Sequence, residues 1–208
     1  EIYQCDWSSD VCSSDLNRKS SPSSISASNT LHALQAEGRA SLNSAQAKGA
    51  RRWFIVIATV IFALDLTTKN WASSYLQFRE PIRVIGDFLK FTYTSNTGAA
   101  FNLASNATYI LTALKLAVAT YVIFYMTKVI SKRWAVALGL LFGGVAGNLW
   151  DRAVRPPALW RGEVIDWIQI PHWPVFNIAD SAIVIAGIFI TYLVSKNVRP
   201  TNNPERLS

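Results

Sequence analysis

The sequence of 208 residues is poor in cysteine, histidine and acidic side chains. Its two cysteines, Cys5 and Cys12, stand at the start, before any apolar segment. This excludes a disulfide framework or a cysteine metal site from the rest of the chain. Of the two histidines only His172 lies in the apolar part, and without a clear partner it is predicted to be a surface loop residue.

Apolar residues are what the chain has in abundance. Half of the residues are hydrophobic, 12% are aromatic and mean hydropathy is +0.20, a composition typical of a membrane protein. A helix needs roughly 20 apolar residues to cross a hydrocarbon core of about 30 Å. Four windows meet this length: 53–75, 107–130, 134–154 and 176–195.

The net charge of +7 is spread over the ends of these windows instead of forming one basic patch, which argues against a nucleic-acid-binding protein. Clusters without acids lie before the first window, between the second and third, and after the fourth, whereas the other two loops mix both signs. The positive-inside rule then places both termini and the 128–133 turn in the cytoplasm and the two mixed loops outside.

Residues 1–50 are predicted to be a disordered cytoplasmic leader, because Ser, Ala, Asn and Gln dominate their composition. They contain no continuous apolar stretch typical of a secretory signal peptide, so the first span is expected to act as the insertion signal. DVCSSDL at 10–16 can be encoded by a DNA sequence that resembles the end of a common sequencing adapter. We hypothesise that residues 1–16 are an artefact, which long-read sequencing that recovers the stretch would refute. Residues 199–208 are predicted to form a polar cytoplasmic tail.

Several polar groups interrupt the apolar spans. Asp65 and Lys69 are spaced i and i+4, so they can pair on one helix face, either as structural support or as part of a catalytic site. The third span carries Gly139, Gly143 and Gly147 at intervals of four, a stripe that lets another helix approach closely.

Near the outer end of the third span, Asn148, Asp151 and Arg152 gather polar groups on the side that faces the bundle. The last two could neutralise each other at an ordinary interfacial helix end, or they could serve catalysis. The spacing alone leaves both readings open.

The outer loops contain further candidates. Residues 81–95 show partial alternation of β-branched and aromatic residues, which predicts a short sheet on the outer membrane surface. Asn96 and Gly98 follow in NTGAAFN, where the glycine permits close backbone approach and the asparagine offers an amide.

Two acidic residues lie at or just before the start of the last apolar window. Asp180 lies three residues after Asn177, where the helix dipole alone would favour an acid. Asp166 precedes it by fourteen residues, across a loop that can fold back and bring the two carboxyls together.

Five segments in order resemble the lipoprotein signal peptidases, the bacterial type II signal peptidases: DLTTK at 65–69, NTGAAF at 96–101, GGVAGNLWDR at 143–152, VIDW at 164–167 and FNIADSA at 176–182. The resemblance covers about residues 53–196. It implies a mainly α membrane fold: four transmembrane helices, an extracytoplasmic β-sheet cradle and a short surface helix near 96–108. The peptidase domain would span 51–198.

The resemblance also implies an activity: an aspartic endopeptidase of the inner membrane that cuts prolipoproteins before the diacylglyceryl-modified cysteine, with its active site toward the outer face. Asp166 and Asp180 match the family's catalytic pair, and Asp151 and Arg152 its supporting residues. Neither metal nor cofactor is needed, the partners are lipid-modified prolipoprotein and membrane lipid, and a monomer is expected. Trp167 departs from the phenylalanine common in the family, and the aromatic exchange is expected to be tolerated.

Two other classes compete with a peptidase. A four-span transporter for cations or protons would use its acids to bind the ion, but it should carry them near mid-membrane and often shows an internal repeat. Here the acids gather near the outer end and no repeat is seen. A scaffold built on the glycine stripe would leave the Asp166 loop without a role.

Overall fold

A computed structural model of the chain describes residues 22–96, 107–157, 159–160 and 162–201. It consists of four helices and three strands: α1 Pro22–Tyr75, β1 Ile82–Ile85, β2 Leu89–Asn96, α2 Ala107–Met126, α3 Lys132–Val154, β3 Val164–Gln169 and α4 Ile178–Ser195. By its internal contacts the chain divides into two units, Glu1–Leu42 and Asn43–Ser208. The fold is therefore mainly helical with a small sheet, as the sequence predicts.

The first helix begins much earlier than the sequence suggests. Residues 22–48 belong to α1 in the structure, whereas their composition predicts part of a disordered leader. The segment is rich in good helix formers such as Ala, Leu and Gln, and it continues directly from a helix that is already nucleated by the apolar half of α1. Residues 1–21, including the suspected artefact, lie outside the described residues, and the domain boundary near residue 50 stays a prediction.

The other three helices coincide with predicted windows to within a few residues. Of the described helices, two are both long and apolar enough to cross a membrane by length and composition: α2 over Tyr109–Met126 and α4 over Ile178–Ser195. The apolar half of α1 contains Asp65 and Lys69, and α3 contains several glycines and charged residues, which lower their hydropathy.

The glycine stripe of α3 packs against α1, as its spacing predicts. A Cβ at Gly139 would lie 3.0 Å from the carbonyl oxygen of Phe54, and one at Gly143 would lie 2.8 Å from that of Ala58. On another side of α3, a Cβ at Gly144 would lie 2.5 Å from the carbonyl oxygen of Ala179 in α4. Because any larger residue would push these helices apart, the glycines set the distance between α3 and its neighbours.

The three strands form one antiparallel sheet in the order β1-β2-β3. The first two come from the segment 81–95 that the sequence predicts, but β3 was predicted as part of a loop. In β3, Asp166 pairs with Thr94 of β2. The strand depends on tertiary pairing with β2, which its short VIDWIQ sequence does not reveal by itself.

Two apolar clusters stabilise the two ends of the unit Asn43–Ser208. One lies where α2 ends and α3 begins, beside the end of α4, and contains Val122, Met126, Trp134 and Leu193. The other packs the sheet against the end of α1 and contains Ala72, Leu76, Ile165 and Trp167. The residues after α4 bind to this first cluster and to the turn between α2 and α3. Trp134 donates a hydrogen bond to the carbonyl of Val198, and the backbone N–H groups of Ile130 and Ser131 donate to the carbonyl of Pro200, in the predicted polar tail.

Candidate active site

The two acids of the predicted pair lie on different elements that one short loop joins. Asp166 is in the middle of β3 and is 3% exposed, and Asp180 is in the first turn of α4. After β3 the chain turns back, so that Phe176 and Ile168 exchange backbone hydrogen bonds of 3.0 and 2.8 Å. This bridge brings the start of α4 beside the middle of the strand.

Asn177 connects the two acids directly. Its side-chain nitrogen donates to Oδ1 of Asp166 at 2.6 Å and to the carbonyl of Ile165 at 3.2 Å. Its side-chain oxygen caps α4 by accepting the backbone N–H of Asp180 at 2.9 Å. Since Asn177 is fully buried, these contacts fix the strand and the helix end relative to each other.

Two further amides complete the surroundings of the acids. Asn148 of α3 donates to Oδ1 of Asp180 at 2.9 Å, and Asn96 at the end of β2 donates to Oδ2 of Asp166 at 3.4 Å. Amides from three elements thus hold the carboxylates. Among the described residues, no cation lies within ion-pair distance of Asp166 or Asp180.

The environment of Asp166 changes its acidity. Burial raises the pKa of its carboxyl from 3.8 to about 6, and the neighbouring charge of Asp180 acts in the same direction. Hydrogen bonds from Asn177 and Asn96 and the charge of Lys69 oppose the shift. A carboxyl that keeps a proton to this pH beside a second carboxyl is the arrangement by which paired acids divide the roles of acid and base.

A buried ionic layer lies behind the two acids. Lys69 Nζ contacts Asp65 Oδ2 at 2.6 Å and Asp151 Oδ2 at 2.8 Å, and it donates to Asn148 Oδ1 at 3.0 Å. All four side chains are completely buried. The predicted pairing of Asp65 with Lys69 is thus observed, and through Asn148 the layer contacts Asp180.

Asp65 also reaches α4. Its Oδ1 accepts the backbone N–H of Ala179 at 2.9 Å, so it binds a free donor in the first turn of that helix. A Cβ at Gly147 would lie 2.5 Å from Asp65 Oδ2, so only glycine leaves room for the carboxylate. Asp65 and Lys69 therefore join α1, α3 and α4 without touching Asp166 or Asp180 in the described contacts.

Asp151 and Arg152 do not neutralise each other in the way that their adjacency suggests. Asp151 pairs with Lys69 and, at 2.7 Å, with Nε of Arg155, one turn further along α3. Arg152 instead donates to the carbonyl of Gly162 at 2.8 Å. Neighbouring residues on a helix point in directions about 100° apart, which explains why each takes a different partner.

Of the sequence-predicted residues, the structure brings eight together around this centre: Asp65, Lys69, Asn96, Asn148, Asp151, Asn177, Asp166 and Asp180. Arg152 lies at its edge, beside Gly162. Gly98 and most of the predicted surface helix near 96–108 lie outside the described residues. In the described ranges, no cluster of three or more His, Cys, Asp or Glu side chains could hold a metal ion. His172 is exposed in a turn.

For three residues near the site, the sequence predicts none of the contacts that the structure shows. Arg155 is the second partner of Asp151 and also donates to Asn70 at 3.1 Å. Lys115 is half-buried on α2. Trp167 makes edge contacts with Trp71 and Phe91, and its indole N–H is buried without a partner among the described residues. A lone charge in an apolar span was a visible signal for Lys115, whereas the other two depend on tertiary contacts.

The fold defines the class of the protein. It superimposes on two solved structures of bacterial membrane enzymes, determined by the in meso method at 1.9 and 2.3 Å resolution. The first has a TM-score of 0.63 and 28% sequence identity, and the match covers 70% of this chain and 94% of the other. The second has a TM-score of 0.61 and 27% sequence identity, and the match covers 74% of this chain and 94% of the other. The protein is therefore of the membrane-enzyme class.

Sequence comparison gives the family. Residues 31–196 match the family model described as signal peptidase (SPase) II. The lipoprotein signal peptidase of Streptomyces coelicolor is 43% identical over 74% of this chain and 76% of its own length. That of Mycobacterium leprae is 38% identical over 68% of this chain and 71% of its own length. That of Streptomyces griseus is 39% identical over 77% of this chain and 82% of its own length. The chain belongs to the signal peptidase II family.

Proposed function

We propose that this protein is an aspartic endopeptidase that removes the signal peptide from prolipoproteins, with Asp166 and Asp180 as its catalytic pair. Membership of the signal peptidase II family supports the activity. The observation that carries the choice of residues is the Asn177 side chain, which bonds to the carboxylate of Asp166 and caps the turn that holds Asp180. The competing transporter reading has no support from the family or its relatives.

The chemistry follows from two neighbouring carboxyls that share one proton. The ionised member takes a proton from water, and the resulting hydroxide attacks the carbonyl carbon of the scissile peptide. The protonated member hydrogen-bonds the carbonyl oxygen as negative charge develops there. Collapse of the tetrahedral intermediate breaks the C–N bond, and a proton passes to the leaving amine.

The amides around the pair have a positioning role in this scheme. Asn148 and Asn177 bond to the carboxylates at 2.9 and 2.6 Å, so both acids stay in one orientation while protons move. Asn96 lies on the β2 side of Asp166. Preorganised groups of this kind lower the barrier because they do not need to reorient during the reaction.

The membrane arrangement that suits this chemistry has four spans. In addition to α2 and α4, the apolar half of α1 and most of α3 would cross the bilayer, where the Lys69 ionic layer is shielded by neighbouring helices. With basic clusters in the cytoplasm, both termini are cytoplasmic and the sheet and both acids face outward in the inner membrane. Cysteine labelling from the outside at the β1–β2 turn, but not at the α2–α3 turn, tests this topology.

A substrate could enter this site sideways from the lipid. The precursor's signal helix is apolar and its cysteine carries acyl chains, so both would stay in hydrocarbon while the scissile bond reaches the outer end of the bundle. Cleavage before the lipidated cysteine would then need only the outer polar layer. One chain contains both acids, so the reaction is complete in a monomer.

The test uses purified protein and a diacylglyceryl-modified precursor. Asp166→Asn and Asp180→Asn should each abolish processing while the protein still folds and inserts. Asp87→Asn is the matched control, because Asp87 is an exposed aspartate of the β1–β2 turn that pairs with Lys90. Wild-type turnover in either dyad variant would rule out the proposed pair, and loss of cleavage by all three would point to a folding defect.

A further inference from the structure

Lys115 is the single charged residue of α2, in the sequence ATYILTALKLAVATYVIFYM. At 1.5 Å per residue it lies about 12 Å along the helix from its first residue, well inside an apolar segment. An ammonium group at this depth is costly unless it faces polar partners. The position therefore needs an explanation that helix packing alone does not provide.

The side of α2 that carries Lys115 faces the bundle. Thr112, Ala119, Val122 and Met126 are all buried, and they recur with Lys115 at spacings of three and four residues. Thr112, one turn before the lysine, donates to the carbonyl of Trp160 in the segment that follows α3. This stripe directs Lys115 inward, toward the outer half of α3 and the polar layer.

Four charged groups from four other elements act on Lys115. They are Asp180 of α4, Arg152 of α3, Lys69 of α1 and Asp166 of β3, and burial of the lysine adds to their effect. Two of them are the acids of the proposed pair, which attract the ammonium group, and two are cations that repel it. The lysine is thus within electrostatic reach of both catalytic candidates.

The nearby cations other than Lys115 already have close partners. Lys69 is held by Asp65 and Asp151, and Arg152 by the carbonyl of Gly162. In the part of the chain that the structure describes, Lys115 forms no ion pair with a carboxylate within 4 Å. Its charge is available to the acid pair, whose carboxylates contact neutral amides among the described residues.

We propose that Lys115 is a positioning residue of the peptidase reaction: its ammonium group, presented on the buried face of α2, holds Asp180 as the ionised member of the pair and leaves the proton on Asp166. This inference rests on the proposed function. It assigns the role of base to Asp180 and that of acid to Asp166. It also accounts for a charge in the middle of an otherwise apolar helix.

The consequence is a dependence of the pH–rate profile on Lys115. A pair that works in its singly protonated state gives a bell-shaped profile. Removing a nearby positive charge makes both ionisation steps harder, so both limbs move to higher pH. A single charge several Å away moves an ionisation by about one pH unit, which sets the expected shift.

The experiment measures kcat and kcat/KM with purified protein and a lipidated precursor, over a pH range that starts at about 4, the unperturbed value for Asp, and extends well above it. Lys115→Met and Lys115→Gln should both shift the bell to higher pH, and Lys115→Arg should return it toward the wild-type position. Lys128→Met is the matched control, since Lys128 lies just beyond the end of the same helix, and its profile should not move.

The outcomes separate the two proposals. If Lys115→Met or Lys115→Gln folds and has a wild-type profile while Asp166→Asn is inactive, Lys115 only reaches toward lipid headgroups and the inference is wrong, but the dyad stands. If Asp166→Asn retains turnover, the proposed catalytic pair is wrong, and the inference about Lys115 is wrong with it. A rate loss in the neutral variants with an unmoved bell indicates a structural role and also overturns the inference.

Discussion

The side-chain nitrogen of Asn177 lies 2.6 Å from Oδ1 of Asp166, the shortest of the three described contacts between a side-chain amide and the two carboxylates. Asn177 is the N-cap of α4, so the residue that begins the helix also orients the carboxylate on the strand. A helix cap is usually worth about 1 kcal/mol of stability. Here the same side chain links stability to the geometry of the site.

We expect Asn177→Ala to reduce kcat far more than stability. The variant loses the donor to Asp166 and the cap of α4, so kcat should fall about 100-fold or more, whereas the free energy of unfolding should change by about 1–3 kcal/mol. Turnover of a lipidated precursor and a thermal melt in detergent measure both. Asn70→Ala, at an exposed position of α1, should change neither much; a loss of stability without a loss of kcat in Asn177→Ala would contradict the positioning role.

Protonation of Asp166 should couple stability to pH. Its pKa is raised from 3.8 to about 6, so the native state holds the proton more tightly than the unfolded chain. The sign follows: stability decreases as pH rises through this interval, and the full cost is present above about 6. At 1.36 kcal/mol per pH unit the cost is on the order of 3 kcal/mol.

Asp166→Asn removes this titration and should therefore melt at a higher temperature than wild type above pH 7, with the difference shrinking toward pH 4, about the unperturbed value for Asp. Thermal melts across this range in one detergent are the measurement. A constant difference between the two proteins at all pH values would show that Asp166 is not protonated in the native state.

Substitutions in the ionic layer should lower the stability of the protein, and lower activity as a result. Lys69 is the sole described partner of Oδ2 in both Asp65 and Asp151. Lys69→Met leaves the buried Asp65 without a cation and Asp151 with Arg155 as its one described cation, and breaking a buried ion pair from one side costs about 3–5 kcal/mol. We expect low yield and low activity together, and Asp65→Asn should show the same in milder form.

Lys90→Met is the matched control for the ionic layer. Lys90 pairs with Asp87 on the exposed β1–β2 turn, so its loss should leave yield and melting temperature nearly unchanged. Full yield with no activity in Asp65→Asn would instead give that residue a direct part in catalysis.

Gly147→Ala tests the close approach of α3 to α1. The new Cβ would lie 2.5 Å from Asp65 Oδ2, so the carboxylate or the helix must shift, and both stability and activity should fall. Gly187→Ala on α4 meets nothing within 4 Å and should be neutral or stabilising by up to about 1 kcal/mol. Equal melting temperatures for the two variants would mean that α1 is not held against Gly147.

The elements that could be predicted are those with strong local signals. The apolar windows gave α2, α3 and α4 to within a few residues, and the alternation in 81–95 gave two strands. The strand β3 was missed because its six residues pair with β2 and with Phe176, neither of which is close in the sequence. The start of α1 was missed because a polar composition suits an exposed helix as well as a disordered leader.

The site shows the same division. Family motifs pointed to Asp166 and Asp180, and an i, i+4 spacing predicted the Asp65–Lys69 pair, which the structure contains. Adjacency suggested the wrong partner for Asp151, since Lys69 lies more than 80 positions away in the chain and the helix turns Arg152 toward Gly162. Lys115 was overlooked although its charge was visible.

By itself the sequence determined which segments are apolar enough to pack as helices, where glycines allow close approach, and which motifs the chain shares with its family. These properties are local: they depend on side-chain type and on spacing along one helix or strand. Only the tertiary structure decided that Asn177 joins Asp166 to the turn of Asp180, and that Lys69 pairs with two carboxylates. Such contacts depend on which distant segments meet, and folding determines that through the packing of the whole bundle.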